Sequence, residues 1–174
     1  MTNQTYFISQ VITIIYFAIL NTSFLFKKRT KVLIANFIAH IGQATAMYLL
    51  NGNTGAAMAI IMIIRDLTFL ILEKLNKKSE KIDLIIFVVT ILLIIALTTI
   101  TYTGPLSLLS VSATLVLTYA LWQKDVTKYK FLSIIAGVLW LAYNIFIKSI
   151  MGVLLEITVI LFATIGYLKE KKIG

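Results

Sequence analysis

Cysteine is absent from this chain, histidine and proline occur once each, and charged residues make up only 13% of it. Without cysteine there is no disulfide framework, no thiolate metal site and no thiol nucleophile. The lone histidine, His40, rules out a multi-histidine metal cluster. The lone proline, Pro105, follows Gly104 where a helix would begin, and it fits a first-turn position. It therefore gives no sign of a gate in mid-helix. No serine elbow, H-E-x-x-H pair or Walker A loop is present. The chain is accordingly expected to be no enzyme, to carry no cofactor or metal, and to hydrolyse no ATP.

What the chain does have is apolar surface. Hydrophobic residues form 60% of its 174 positions, and the mean hydropathy is +0.97. A soluble domain of this size could not cover so much apolar area, so lipid is the expected solvent. The net charge of +9 would suit nucleic acid, but most lysines flank apolar runs, as topology signals do. No nucleic-acid partner is expected. The first apolar run has no basic residue before it and reads as a retained span rather than a signal peptide.

About 20 apolar residues cross the hydrocarbon core as a helix. Seven runs qualify, at about 6–26, 32–50, 53–73, 82–101, 105–122, 129–147 and 150–168. The expectation is an all-α membrane protein, one seven-helix domain over residues 1–174 with short connections. Basic residues gather after spans one (Lys27, Lys28, Arg29, Lys31), three (Lys74, Lys77, Lys78, Lys81), five (Lys124, Lys128, Lys130) and seven (Lys169, Lys171, Lys172). The opposite connections hold only Lys148. The positive-inside rule then places the N-terminus outside and the C-terminus in the cytoplasm.

Sliding the chain by 97 residues aligns spans one to three with spans five to seven without a gap. Lys27–Lys31 falls on Lys124–Lys128, Gly55 on Gly152, and Glu73-Lys74 on Glu170-Lys171. An odd fourth span lets both triplets run the same way, which makes a parallel 3+1+3 repeat: 6–74, a linker helix at 82–101, and 105–171.

Residues three and four apart share a helix face. Span two then carries a stripe of Asn36, His40, Gln43 and Met47, and the offset maps it onto Ser133, Gly137, Trp140 and Asn144 of span six. On span three, Gly52, Gly55, Ala59, Met62 and Asp66 share a face. Their counterparts on span seven are Ser149, Gly152, Glu156, Val159 and Ala163. These faces are expected to look inward. At about 1.5 Å of rise per residue, Glu156 and Trp140 lie roughly 10 Å from the outer surface, while His40, Arg65 and Asp66 lie roughly 18–20 Å deep.

Glu156 has two readings. A carboxyl at lipid depth is costly and usually functional, as a solute or proton site. It could instead be half of an ion pair, with Arg65 as the partner. Arg65 and Asp66 lie about 100° apart around their helix and need not pair with each other. Arg65 could bind an anionic group or neutralise a carboxylate. His40 could be a packing residue or a proton relay, and Asn36, Gln43 and Asn144 could be interhelical glue or solute contacts. Trp140 and Tyr143 also fit an interfacial aromatic belt. The stripe of Ser107, Ser110, Thr114 and Thr118 on span five reads as helix packing.

The run from Trp140 to Glu156, with the spacing W-x2-Y-N-x4-S-x2-G-x3-E, resembles the YgjV family of bacterial inner-membrane proteins. Trp140, Tyr143, Asn144, Ser149, Gly152 and Glu156 carry the resemblance, and Arg65 resembles a further family feature. The family is similar, at a distance, to the SWEET, PQ-loop and PnuC-type transporters with their 3+1+3 plan. This chain lacks the Pro-Gln pair of the PQ-loop group and the helix-hinging prolines of SWEET proteins. The resemblance implies a location in the bacterial inner membrane and a SWEET-like bundle.

Two functional expectations follow. The first is a small-solute transporter or facilitator with a cavity lined by spans two, three, six and seven. Glu156, Trp140, Asn144 and Tyr143 would form its outer layer, with His40, Gln43, Arg65 and Asp66 deeper. A small polar or zwitterionic solute would suit it, since both charge signs are at hand. The second is a non-transporting membrane partner, such as an immunity, scaffold or regulatory subunit. Homo-oligomers formed through the small-residue faces are compatible with both.

Overall fold

In the computed structural model, which describes residues 2–75 and 80–173, the seven apolar runs are seven helices. They are α1 (Asn3–Ser23), α2 (Arg29–Leu49), α3 (Asn53–Lys74), α4 (Glu80–Thr101), α5 (Leu108–Trp122), α6 (Val126–Phe146) and α7 (Ile150–Ile173). A single 3₁₀ turn, Pro105–Ser107, leads into α5, with the proline at its first turn. All seven are long and apolar enough to cross a membrane once that turn is counted with α5. Among the described residues there is no strand. Lys77 and Lys78 lie outside the described residues.

Six helices form a ring. α1 packs on α2, α2 on α3, α3 on α5, α5 on α6, α6 on α7, and α7 on α1, while α4 leans on α3 and α5 from outside. The hydropathy pattern explains why α4 is outside. It is the most apolar helix, with no polar face to hide, and it buries only Asp83, Thr90 and Ile94. The ring helices carry stripes of small and polar residues that lipid cannot satisfy, so those stripes turn inward. Every residue of the four stripes expected to face inward on α2, α3, α6 and α7 and at their N-terminal caps is buried.

Exchanging α1, α2 and α3 for α5, α6 and α7 maps the ring contacts onto themselves. The turns obey the same exchange. Asn51 and Lys148, 97 residues apart, both take positive φ, at 58° and 56°. In each turn the next N–H reaches back to the same carbonyl: Gly52 donates to Met47, and Ser149 to Asn144, both at 2.9 Å.

The lysine-rich end is braced by ion pairs. Arg29 donates to Glu73 at 2.9 Å and stacks over Phe69, Lys130 donates to Glu170 at 2.9 Å, and Lys124 pairs with Asp83. Glu73 and Glu170 are related by the 97-residue offset, and each takes a cation from the middle helix of its own triplet. Lys130 is therefore more than a flanking topology signal, since its side chain is 2% exposed. One apolar cluster, around Phe17, Phe24, Leu33, Phe69 and Tyr129, fills this end of the ring. A second, around Met47, Met58, Met62, Trp140 and Tyr143, fills the other.

Candidate functional site

Between the two clusters lies a cavity whose space for water-molecule centres is about 30 Å³. That is room for about two waters. Its polar lining comes from Tyr16 on α1, Asn36, His40 and Gln43 on α2, Arg65 on α3, Tyr129, Ser133 and Trp140 on α6, and Glu156 on α7. The walls also include Phe17, Phe24 and Leu117, so α1 and α5 contribute as well as the four helices expected from the sequence. Glu156 and Trp140 share this space with His40, Gln43 and Arg65. The layers expected at two depths thus open into one chamber.

On the α3 side of the chamber the polar groups are fully paired. Asp66, with no exposed surface, accepts from Arg65 Nε at 2.9 Å and from Arg65 Nη2 at 2.7 Å through Oδ1, and contacts His40 Nδ1 at 2.8 Å through Oδ2. Arg65 Nη1 donates to Thr118 at 3.0 Å. Neighbours about 100° apart on a helix need not pair. They do because the long arginine stem folds back over its own helix, and in a lipid-depth interior a charge takes the nearest opposite charge. The alternative reading of Glu156, an ion pair with Arg65, does not form, since Asp66 already holds the guanidinium on two nitrogens. Arg65 and Asp66 cancel in charge, and Asp66 Oδ2 accepts from a proton on His40 Nδ1.

Elsewhere around the chamber several polar groups are unpaired. Glu156 is 5% exposed and makes no hydrogen bond or ion pair with any described residue. The side chain of Gln43 and Nε2 of His40 also find no protein partner among the described residues. None of these atoms is sealed from the chamber, whereas Asn144 Nδ2 is both sealed and unpartnered. Asn36 differs again: it exchanges two hydrogen bonds with the Tyr129 hydroxyl, at 2.8 and 3.1 Å.

Tyr143 and Asn144 lie outside the chamber, at the α2–α3 and α6–α7 turns, and their roles there explain the motif's spacing. Ser149 is the N-cap of α7, and its hydroxyl accepts from the third helical N–H, that of Gly152, at 3.1 Å. Gln10 of α1 accepts from the second, that of Met151, at 2.9 Å. The equivalent cap of α3 is Gly52, which has no side chain to offer. There the Tyr143 hydroxyl crosses from α6 and accepts from the third helical N–H, that of Gly55, at 2.9 Å. The two glycines are forced by close approach. A Cβ at Gly152 would lie 2.5 Å from Asn144 Oδ1, and one at Gly55 would lie 2.5 Å from the Tyr143 ring. One turn either side of this junction, Trp140 and Glu156 reach the chamber. Asp66 sits one step behind its wall, holding His40 and Arg65 in place.

Sequence reasoning did not single out Tyr16 or Tyr129. For Tyr16 the signal was a stripe of Ser9, Thr13 and Tyr16 at helical spacing on α1, continued by the partly buried Leu20 and by Phe24 just past the helix.

Comparison with known proteins agrees with the motif. A family model described as "Imp-YgjV: Bacterial inner membrane protein" matches residues 7–172, nearly the whole chain. No curated protein and no solved structure matches it. With seven membrane-crossing helices and a match of that extent, the chain belongs to the YgjV family of bacterial inner membrane proteins.

Proposed function

We propose that this protein is a small-solute transporter or facilitator, and that the chamber between the two three-helix units is its solute site in a closed conformation. One observation carries the reading: polar groups of Glu156, His40, Gln43, Tyr16 and Trp140 converge without partners among the described residues on a water-sized chamber at membrane depth. Polar side chains used as glue between helices satisfy one another, as Arg65, Asp66 and Thr118 do. Groups left open at such a cost wait for something that comes and goes. The 97-residue symmetry of contacts and turns supports a parallel 3+1+3 repeat, with the chamber where transporters built of repeats hold their solute. The ion pairs at the lysine-rich end and the Tyr143 and Gln10 bonds at the other would be the two closures. By the positive-inside rule the lysine-rich closure faces the cytoplasm.

The test is a metabolite screen of uptake and efflux in cells with and without the gene, followed by flux of any hit into proteoliposomes. A solute whose movement depends on the protein, and falls at least tenfold with Glu156→Gln, is the expected result. No dependent solute in a broad screen would overturn the reading and favour the partner-protein alternative.

A further inference from the structure

Resting on the transport reading, we infer that the chamber takes a small protonated amine, of the size of ammonium or methylammonium, which Glu156 binds in exchange for its own proton. Around the chamber the titratable groups are Tyr16 from α1, His40 from α2, Arg65 backed by Asp66 from α3, Tyr129 from α6, and Glu156 itself. Arg65 and Asp66 cancel, at 2.7 and 2.9 Å. Tyr129 is engaged with Asn36. Glu156 is left as the one carboxyl at the chamber that no cation or hydrogen-bond donor among the described residues compensates. A zwitterion would need a free cation as well, and Arg65 is not free.

Chemistry and size agree with charge. The Glu156 carboxylate, the Gln43 carbonyl and the Tyr16 hydroxyl oxygen can all accept, which suits a guest with several N–H donors. Aromatic faces of Trp140, Tyr16 and Phe17 line the same space, and such faces attract cations. The volume, about 30 Å³ for water centres, admits a guest on the scale of water, as ammonium is. The exchange balances simply. Protonated Glu156 gives its proton to water, and the ammonium takes the proton's place beside the carboxylate. Binding one cation thus releases one proton and leaves the chamber's net charge unchanged.

The experiment uses the full-length protein in detergent with Trp122→Phe, so that Trp140 is the only indole left. Methylammonium chloride is the probe, with sodium chloride and tetramethylammonium chloride at equal ionic strength as controls. The expected result is a saturable change in Trp140 fluorescence with methylammonium alone. About one proton should be released per protein, and apparent affinity should fall about tenfold for each unit the pH is lowered through the range where Glu156 is protonated. Glu156→Gln should abolish both signals. Glu156→Asp, which keeps the carboxyl, should retain proton release with weaker binding, and it serves if the glutamine variant does not fold. An unchanged response in Glu156→Gln, no response at all, or an equal response to sodium overturns the inference. If methylammonium does not bind while a neutral or anionic solute is carried, transport stands and the amine does not.

Discussion

Asp66→Asn should be among the most damaging conservative substitutions in this protein. The carboxylate is fully buried and takes three contacts, two from Arg65 at 2.9 and 2.7 Å and one from His40 at 2.8 Å. An asparagine fills the same volume but carries no charge. The guanidinium, 1% exposed, would then be left as an uncompensated cation with only Thr118 and an amide oxygen to face. Breaking a buried pair from one side costs about 3–5 kcal/mol, because the orphaned charge cannot reach solvent. Even the low end, about 3 kcal/mol, is a more than hundredfold shift in the folding equilibrium. Arg65→Met combined with Asp66→Asn removes both charges and should be better tolerated than Asp66→Asn alone. Equilibrium unfolding in mixed micelles, titrated with a denaturing detergent, gives the four corners of the cycle. The reasoning fails if Asp66→Asn lies within about 1 kcal/mol of the parent, or if the double variant costs the sum of the two singles.

The same assay reads the remaining substitutions. Tyr143→Phe removes the borrowed cap of α3 and leaves the buried Gly55 N–H without a partner, at a cost of about 1–3 kcal/mol. Gly152→Ala puts a methyl 2.5 Å from Asn144 Oδ1 and 2.6 Å from Ser149 Oγ, so it should cost about 1–3 kcal/mol by overpacking the α6–α7 junction. At the lysine-rich end the two halves of one ion pair should differ. Glu170→Gln strands an ammonium that is 2% exposed, whereas Lys130→Met leaves a carboxylate that is 20% exposed and can be hydrated. The glutamate substitution should be the costlier of the two, and equal costs would count against a buried Lys130.

Much of this architecture was legible in the sequence because the bilayer leaves few choices. Seven apolar runs of spanning length could only be helices, and their inward faces were marked by small and polar residues at helical spacing. The offset between Gly55 and Gly152 anticipated two turns with the same backbone. The polar partnerships were harder, since periodicity gives a residue's direction but not its reach. Arg65 and Asp66 leave the helix on different bearings, yet one long stem closes the gap. That pairing removes the partner proposed for Glu156 and turns a site of both charge signs into a site with one open carboxyl. Tyr143 and Asn144 were grouped with Glu156 by motif. They instead hold the turns that aim Trp140 and Glu156 at the chamber. Lys130 looked like one of many flanking lysines, and only its packing against Glu170 distinguishes it.

The central claim is that the chamber around Glu156 opens in turn to both faces of the membrane. The absence of any native cysteine makes this directly measurable. Single substitutions Gln43→Cys, Ser133→Cys and Glu156→Cys, with Ile157→Cys on the outward face of α7 as a control, are probed in sealed vesicles of each orientation with a small membrane-impermeant thiol reagent. The account predicts that the three chamber positions are modified from either face and that the control is modified from neither. Modification of the chamber positions from neither face, in a protein that remains folded, would contradict it and make the unpaired carboxyl part of a permanently closed core.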